Sequence, residues 1–214
     1  MTAESACNRL NELLTGFGLE PLDDVTGERF ARYLTLFLRW NARLNLSAVR
    51  DEESILSRHF VESIASARAL PAGISTLLDY GSGAGLPGIP IALCRPEISV
   101  TLAESQGKKA AFLQEAVRAL GLANAAVHNG RAESLVMRYD STIMRAVDRM
   151  AQAVESAARL VTPEGWLALL TTRADLAGLQ AAAGAHFSWL EPVPLPGSQS
   201  RLLALGQARL NASA

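Results

Sequence analysis

Leu77-Leu-Asp-Tyr-Gly-Ser-Gly-Ala-Gly-Leu-Pro-Gly-Ile-Pro90 joins a short apolar run, ending in Asp79, to a turn with glycines at 81, 83, 85 and 88. Glycine adopts positive φ without steric cost and lets a backbone approach a ligand closely. A glycine-rich turn between a buried strand and a helix is where open α/β sheets bind nucleotides. The spacing limits which nucleotide. A dinucleotide turn has Gly-x-Gly-x-x-Gly, and counting from Gly81 places Leu86 where the third glycine belongs. No Gly-Lys-Ser/Thr follows, so a phosphate-cradling loop is unsupported. The pattern here is Asp-x-Gly-x-Gly-x-Gly.

Outward from the turn, strands and helices alternate. Ser75 to Tyr80 reads as a buried strand, and Ile89 to Cys94 begins a helix that stops near Pro96. Ile98 to Ala103 is a second strand, Lys108 to Leu120 a helix ending at Gly121, and Ala125 to His128 a third strand. Ser141 to Arg145, a helix over Met150 to Leu160, Gly165 to Thr171 and a helix over Ala174 to Ala183 continue the series. His186 to Glu191 and Arg201 to Leu205 close it as an antiparallel pair. This alternation predicts an α/β fold with a mainly parallel, seven-stranded sheet covered on both faces. Residues 1–70 read instead as a helical extension. Leu10, Leu13 and Leu14 share one helix face. A longer amphipathic segment runs from Thr26, and a third helix spans Glu52 to Ala69. Residues 71–214 form the Rossmann-like part, and the two are expected to pack as one unit.

Bulk properties exclude several classes. The chain has 214 residues, is 49% hydrophobic and carries a net charge of −1, so it can bury a core and has no strong global field for nucleic acid or membranes. Lys108 and Lys109 are its lysines, and arginine supplies the other basic residues. The two cysteines, Cys7 and Cys94, lack metal-ligand or Cys-x-x-Cys spacing and read as free thiols of a reducing compartment. No signal-peptide core and no apolar run of about 20 residues is present. The expectation is a cytoplasmic protein with no membrane association and no metal.

The turn resembles motif I of the class I S-adenosylmethionine-dependent methyltransferases. S-adenosyl-L-methionine has no phosphates, so the turn need only admit a flat, amino-acid-bearing ligand. Asp79 can organise the methionine end of such a ligand or cap the following turn. Glu104, at the tip of the second strand, is placed to accept hydrogen bonds from ribose hydroxyls.

Longer blocks are similar to the RsmG (GidB) family, bacterial 16S ribosomal RNA guanine-N7 methyltransferases. They are Gly81 to Pro90, Trp40-Asn41, Asn45 to Arg50, Arg58-His-Phe-Val-Glu-Ser63, Glu104 to Leu113, Gly130-Arg-Ala-Glu133 and Arg145-Ala-Val147. The likeness runs over roughly residues 25–206. It implies cofactor contacts from Gly81, Gly83 and Leu86 in the turn, and from Glu104, Ser105 and Gln106 around ribose and adenine. Ala132 and Glu133 would flank the adenine, and Arg145 would face the mouth of the site. The second-strand acid is often Asp in the family, and Met144 stands where a small or polar residue is common.

The resemblance implies methylation of N7 of a guanine in the 530 loop of 16S rRNA, the partner expected is a small ribosomal subunit or its precursor, and the protein is expected to be a monomer. N7 carries a lone pair and needs no deprotonation, so no catalytic base is assigned. Arg145-Ala-Val-Asp148 is not the Asn/Asp-Pro-Pro-Tyr tetrad of amino-group methyltransferases. His59 reads as structural or as a neighbour of the cofactor mouth. Arg29, Arg32, Arg39, Arg43, Arg50 and Arg58 form either a phosphate-binding face or a solvated helix surface, and Lys108, Lys109 and Arg201 are further RNA candidates. A methyltransferase of small molecules or proteins would share motif I but not the Asn45–Ser47 and Arg58–His59 blocks. A non-enzymatic RNA-binding factor on a relic fold would not bind S-adenosylmethionine.

Overall fold

The computed structural model describes residues 2–147 and 149–210. Its strands are β1 (Thr76–Tyr80), β2 (Ser99–Glu104), β3 (Ala125–Asn129), β4 (Tyr139–Arg145), β5 (Val161–Thr172), β6 (Phe187–Trp189), β7 (Val193–Pro194) and β8 (Arg201–Ala208). They form one sheet in the order β3-β2-β1-β4-β5-β8-β6, and the two-residue β7 pairs with β8 beside this path. The seven expected strands make up the path, and β7 is an addition in a proline-rich connection. β3 through β5 run parallel, and β8 is antiparallel to both β5 and β6. Leu77 and Leu78 are both fully buried, as expected for a central strand with helices on either face. The chain leaves β1 toward β2 and β3, then returns to β4 on the other side. That reversal opens a crevice at the carboxyl ends of β1 and β4.

The helices of residues 1–70 cover one face. α1 (Ala3–Gly16) starts at Thr2, whose hydroxyl accepts from the Ser5 amide at 3.2 Å. α2 (Asp24–Leu44) starts at Asp23, whose carboxylate accepts from the Thr26 amide at 2.9 Å, and it ends at Asn45 in the left-handed region. Sequence periodicity predicts a single helix over Glu52 to Ala69. The structure keeps its extent but divides it into α3 (Glu52–Ser54), a π-helical stretch (Ile55–Phe60) and α4 (Val61–Ala69). The wide turns carry Arg58 and His59, and such bulges concentrate at functional sites.

Leu10, Phe37 and Ile64 from these helices share one buried cluster with Leu77, Ile89, Leu102 and Phe112. Tyr33, fully buried on α2, stacks on Phe60 with ring centroids 4.9 Å apart and donates its hydroxyl to the Ala84 carbonyl at 2.5 Å. α5 (Gly88–Cys94) and α6 (Gly107–Ala119) lie on this side. The opposite face buries Leu78, Met144, Leu167 and Leu169 under α7 (Met150–Ala158) and α8 (Leu176–Ala183). Among the described residues no helix is long and apolar enough to cross a membrane.

Candidate active site

The four glycines of the turn have different duties. Gly81, Gly83 and Gly85 have φ of 72°, 57° and 79°, in the left-handed region. A Cβ on Gly85 would lie 2.4 Å from Ile89 Cδ1, and one on Gly88 would lie 2.4 Å from Leu102 Cδ2 and 2.5 Å from Asp79 Oδ2. These two glycines let helix α5 pack onto the sheet. A Cβ on Gly83 would meet only the Gly81 carbonyl, at 3.8 Å, so Gly83 faces open space. The turn is clipped to β2 by the Ser82 amide, which donates to the Ala103 carbonyl at 2.9 Å.

Two acids fix this turn. Asp79 is 1% exposed, and its Oδ2 accepts from the Gly88 amide at 3.1 Å. Of its two sequence readings, the structure shows the cap: the carboxyl clasps the start of α5 and is not on the cleft wall. Burial pushes it up to about 7, against the hydrogen bonds from Ser82 and Gly88. Glu104, buried at the tip of β2, accepts from the Gly83 amide at 2.9 Å through Oε2 and from the Gln106 amide at 2.7 Å through Oε1. Each carboxylate oxygen keeps a second lone pair for a ligand.

Above the turn lies a cleft of about 830 Å³. Gly81, Gly83, Leu86, Glu104, Ser105 and Gln106 line one side, and Ala132, Glu133 and Arg145 another, so the nine residues singled out in the sequence meet at one cavity. Sequence reasoning assigned no site role to Ser47, Tyr80, Arg131, Arg149, Gln152 and Ser156, which also line it. Ser47 lies within the Asn45–Arg50 stretch. Gln152 and Ser156 are four apart on α7, a spacing that places them on one face. Lys109, read as an RNA candidate, lies on the cleft wall.

Arg145 ends β4 with its guanidinium largely buried. Its Nη2 donates to His59 Nδ1 at 2.8 Å and lies 3.6 Å from Glu62 Oε2. His59 Nε2 faces Ser47 Oγ at 2.8 Å. Burial, then the Arg145 charge, lowers the His59 pKa to about 3, so the ring is neutral. His59 therefore links the N-terminal helices to the end of β4 and lines the cleft itself.

The arginine face of the N-terminal region is partly engaged. Arg32 pairs with Glu28 at 3.6 Å, Arg39 pairs with Glu115, and Arg50 donates to Asn45 at 2.5 Å. Arg32, Arg39, Arg43, Arg50 and Arg58 are exposed, and Arg29 is half-buried. Arg201, another RNA candidate, instead holds Glu62 Oε1 through Nε at 2.8 Å and Nη2 at 2.5 Å.

The match to known proteins is extensive. The family model GidB, rRNA small subunit methyltransferase G, matches residues 26–189. This chain belongs to the GidB family. A ribosomal RNA small subunit methyltransferase G of Xanthomonas campestris pv. campestris (strain B100) is 40% identical over 190 residues, covering 86% of this chain and 88% of that one. One of Stenotrophomonas maltophilia (strain K279a) is 45% identical over 148 residues, covering 68% and 69%. The fold is similar to that of a SAM-dependent methyltransferase from Aquifex aeolicus, with a TM-score of 0.58 at 17% identity over 72% of this chain and 93% of that one. It is also similar to a precorrin-6y C5,15-methyltransferase from Geobacter metallireducens, with a TM-score of 0.52 at 11% identity over 77% and 92%. The GidB chain is thus an S-adenosylmethionine-dependent rRNA methyltransferase with a class I fold.

The cleft of this GidB protein suits that cofactor. Gly83 leaves backbone open to a ligand, and Glu104 has spare acceptor capacity. Of the Arg145–Asp148 segment, Asp148 lies outside the described residues.

Proposed function

We propose that this chain methylates N7 of a specific guanine in the 530 loop of 16S rRNA by direct in-line transfer without a general base. When bound, S-adenosyl-L-methionine supplies a methyl group already activated by its sulfonium charge. Gly81, Gly83 and Leu86 would seat it, Glu104, Ser105 and Gln106 would hold ribose and adenine, and Ala132 and Glu133 would flank the adenine. Arg145 would face the transferring end. What remains for the protein is alignment, which is proximity catalysis.

The observation that carries the base-free reading is the bonding of His59. Its Nδ1 accepts from Arg145, and its Nε2 is engaged with Ser47. A histidine occupied on both nitrogens does not take a substrate proton, and guanine N7 has none to give. The net charge of −1 supports a folded small ribosomal subunit, or its precursor, as the partner, since naked RNA would gain little from the global field. We place the protein in the cytoplasm as a monomer. The core shared by residues 1–70 and 71–214, with the bond from Tyr33 to Ala84, supports a single folding unit.

Mass mapping of methylated bases in 16S rRNA, with and without the gene, tests the reading. Loss of one N7-methylguanosine in the deletion strain is expected. An unchanged modification profile rules the assignment out.

A further inference from the structure

A second cavity, of about 340 Å³, adjoins the cleft. Arg145 and Ala146 line both. Its other walls include Glu62, Met150, Leu170 and Leu195, so it opens beside the carboxyl ends of β4 and β5. Thr171, Thr172, Asp175 and Arg201 also line it, but its open surface is mostly apolar, which suits a flat aromatic ring.

Glu62 is the anomaly in this cavity. It is 1% exposed, and its two oxygens are treated differently. Oε1 takes two hydrogen bonds from Arg201. Oε2 has none; the nearest cation is Arg145 Nη2 at 3.6 Å. Arg145 Nη1 is likewise buried and unpartnered. A buried carboxylate oxygen and a buried guanidinium N–H without partners are costly. One unpartnered acceptor and one unpartnered donor thus belong to two residues that line this slot next to the cofactor cleft.

Resting on the N7-guanine reading above, we infer that this slot holds the acceptor guanine and that Glu62 and Arg145 read its identity. Guanine presents N7 and O6 as adjacent acceptors, then N1–H and the N2 amino group as donors. The order of groups along the base matches the order of walls. N7 points into the cofactor cleft, O6 meets Arg145 Nη1 at the shared wall, and the N1 and N2 donors meet Glu62 Oε2 inside the slot. Adenine would set an acceptor, N1, against the carboxylate and a donor, N6, against the guanidinium. A base read this way leaves its stack, as enzymes acting on nucleobases commonly require.

The test is a cycle between Glu62→Gln and replacement of the target guanosine by inosine in reconstituted small subunits. Inosine keeps N7, O6 and N1–H and lacks only the N2 amino group. Inosine is expected to lower kcat/KM of the unaltered protein about tenfold, the worth of one hydrogen bond, and that of Glu62→Gln by less than about threefold. Cofactor affinity measured by calorimetry stays the same in both proteins. Equal penalties for inosine in the two proteins overturn the proposal while leaving the N7 assignment standing. Absence of N7-methylguanosine on the guanosine subunit overturns both. Should Glu62→Gln not fold, Met150→Trp narrows the slot from α7. It is expected to raise KM for the subunit at unchanged cofactor affinity, and an unchanged KM overturns the proposal.

Discussion

His59 Nδ1 lies 2.8 Å from Arg145 Nη2, and a guanidinium can only donate. The proton of the neutral ring therefore sits on Nε2 and goes to Ser47 Oγ. That oxygen also accepts from the Val49 amide at 3.1 Å. Nitrogen chemical shifts should show the Nε2–H tautomer of His59 throughout pH 5–8.

The same ring makes stability depend on pH. Its folded pKa is lowered to about 3 from about 6.5, so the unfolded chain binds the extra proton. The stabilisation is complete above the unfolded value and is lost as pH falls toward 3, at about 1.4 kcal/mol per pH unit. Denaturant titrations at pH 7 and pH 5 should show His59→Gln losing less stability on acidification than the unaltered protein, by about 2 kcal/mol.

Asp79 acts with the opposite sign. Its folded pKa is raised to about 7 from about 3.8, so its contribution is complete below the unfolded value and is lost as pH rises through 7. The amide in Asp79→Asn keeps an acceptor for Gly88 and removes the titration. The variant should gain on the unaltered protein between pH 5 and pH 8 by roughly 3 kcal/mol. The two titrations oppose each other between about pH 4 and 6.5, so the unaltered protein has a flatter profile there than either variant. A profile in Asp79→Asn parallel to the original would contradict this assignment.

Glycine substitutions should separate packing from binding. Gly88→Ala forces a methyl against Leu102 and Asp79 and should destabilise the fold by about 1–3 kcal/mol, read as a lowered Tm. Gly83→Val has room for its first carbon but sends a branched side chain into the cleft at a positive φ. It should abolish cofactor binding in calorimetry with a smaller loss of Tm than Gly88→Ala.

Arg145→Ala should impair methylation more than folding. Glu62 keeps Arg201 as a partner, which limits the stability loss to about 1–3 kcal/mol. The rate of methylation should fall at least a hundredfold. Retention of full activity would remove Arg145 from the active-site mouth.

Much of this was legible from the turn alone. A run of apolar residues, an acid and alternating glycines have few physical uses, and the second-strand acid follows at a fixed topological distance. The count from Gly81 missed one regularity. Counted from Gly83, the chain does read Gly-x-Gly-x-x-Gly, and Gly88 performs the helix-to-sheet packing of a third glycine. What stayed hidden depends on contacts between distant segments. Glu62 and Arg201 are 139 residues apart, and an arginine late in the chain gives no sign that a buried acid awaits it. The π-helical stretch was equally invisible, because widening a helical turn leaves the apolar periodicity almost unchanged over one bulge. Asp79 was ambiguous because one residue type serves both capping and ligand binding.

The bond from Tyr33 to Ala84 spans 51 residues and runs from an early helix to a later turn. During synthesis the helices bearing Tyr33, Phe37 and Ile64 are finished before the first strand emerges, so their apolar faces have nothing to cover. β8, made near the end, must then slide between β5 and β6 before the sheet is whole. Apolar surface that waits for a later partner is where aggregation competes with folding. Every residue that lines the cleft precedes β5 in the chain, so the walls that would seat the cofactor are made before the strand that completes the sheet.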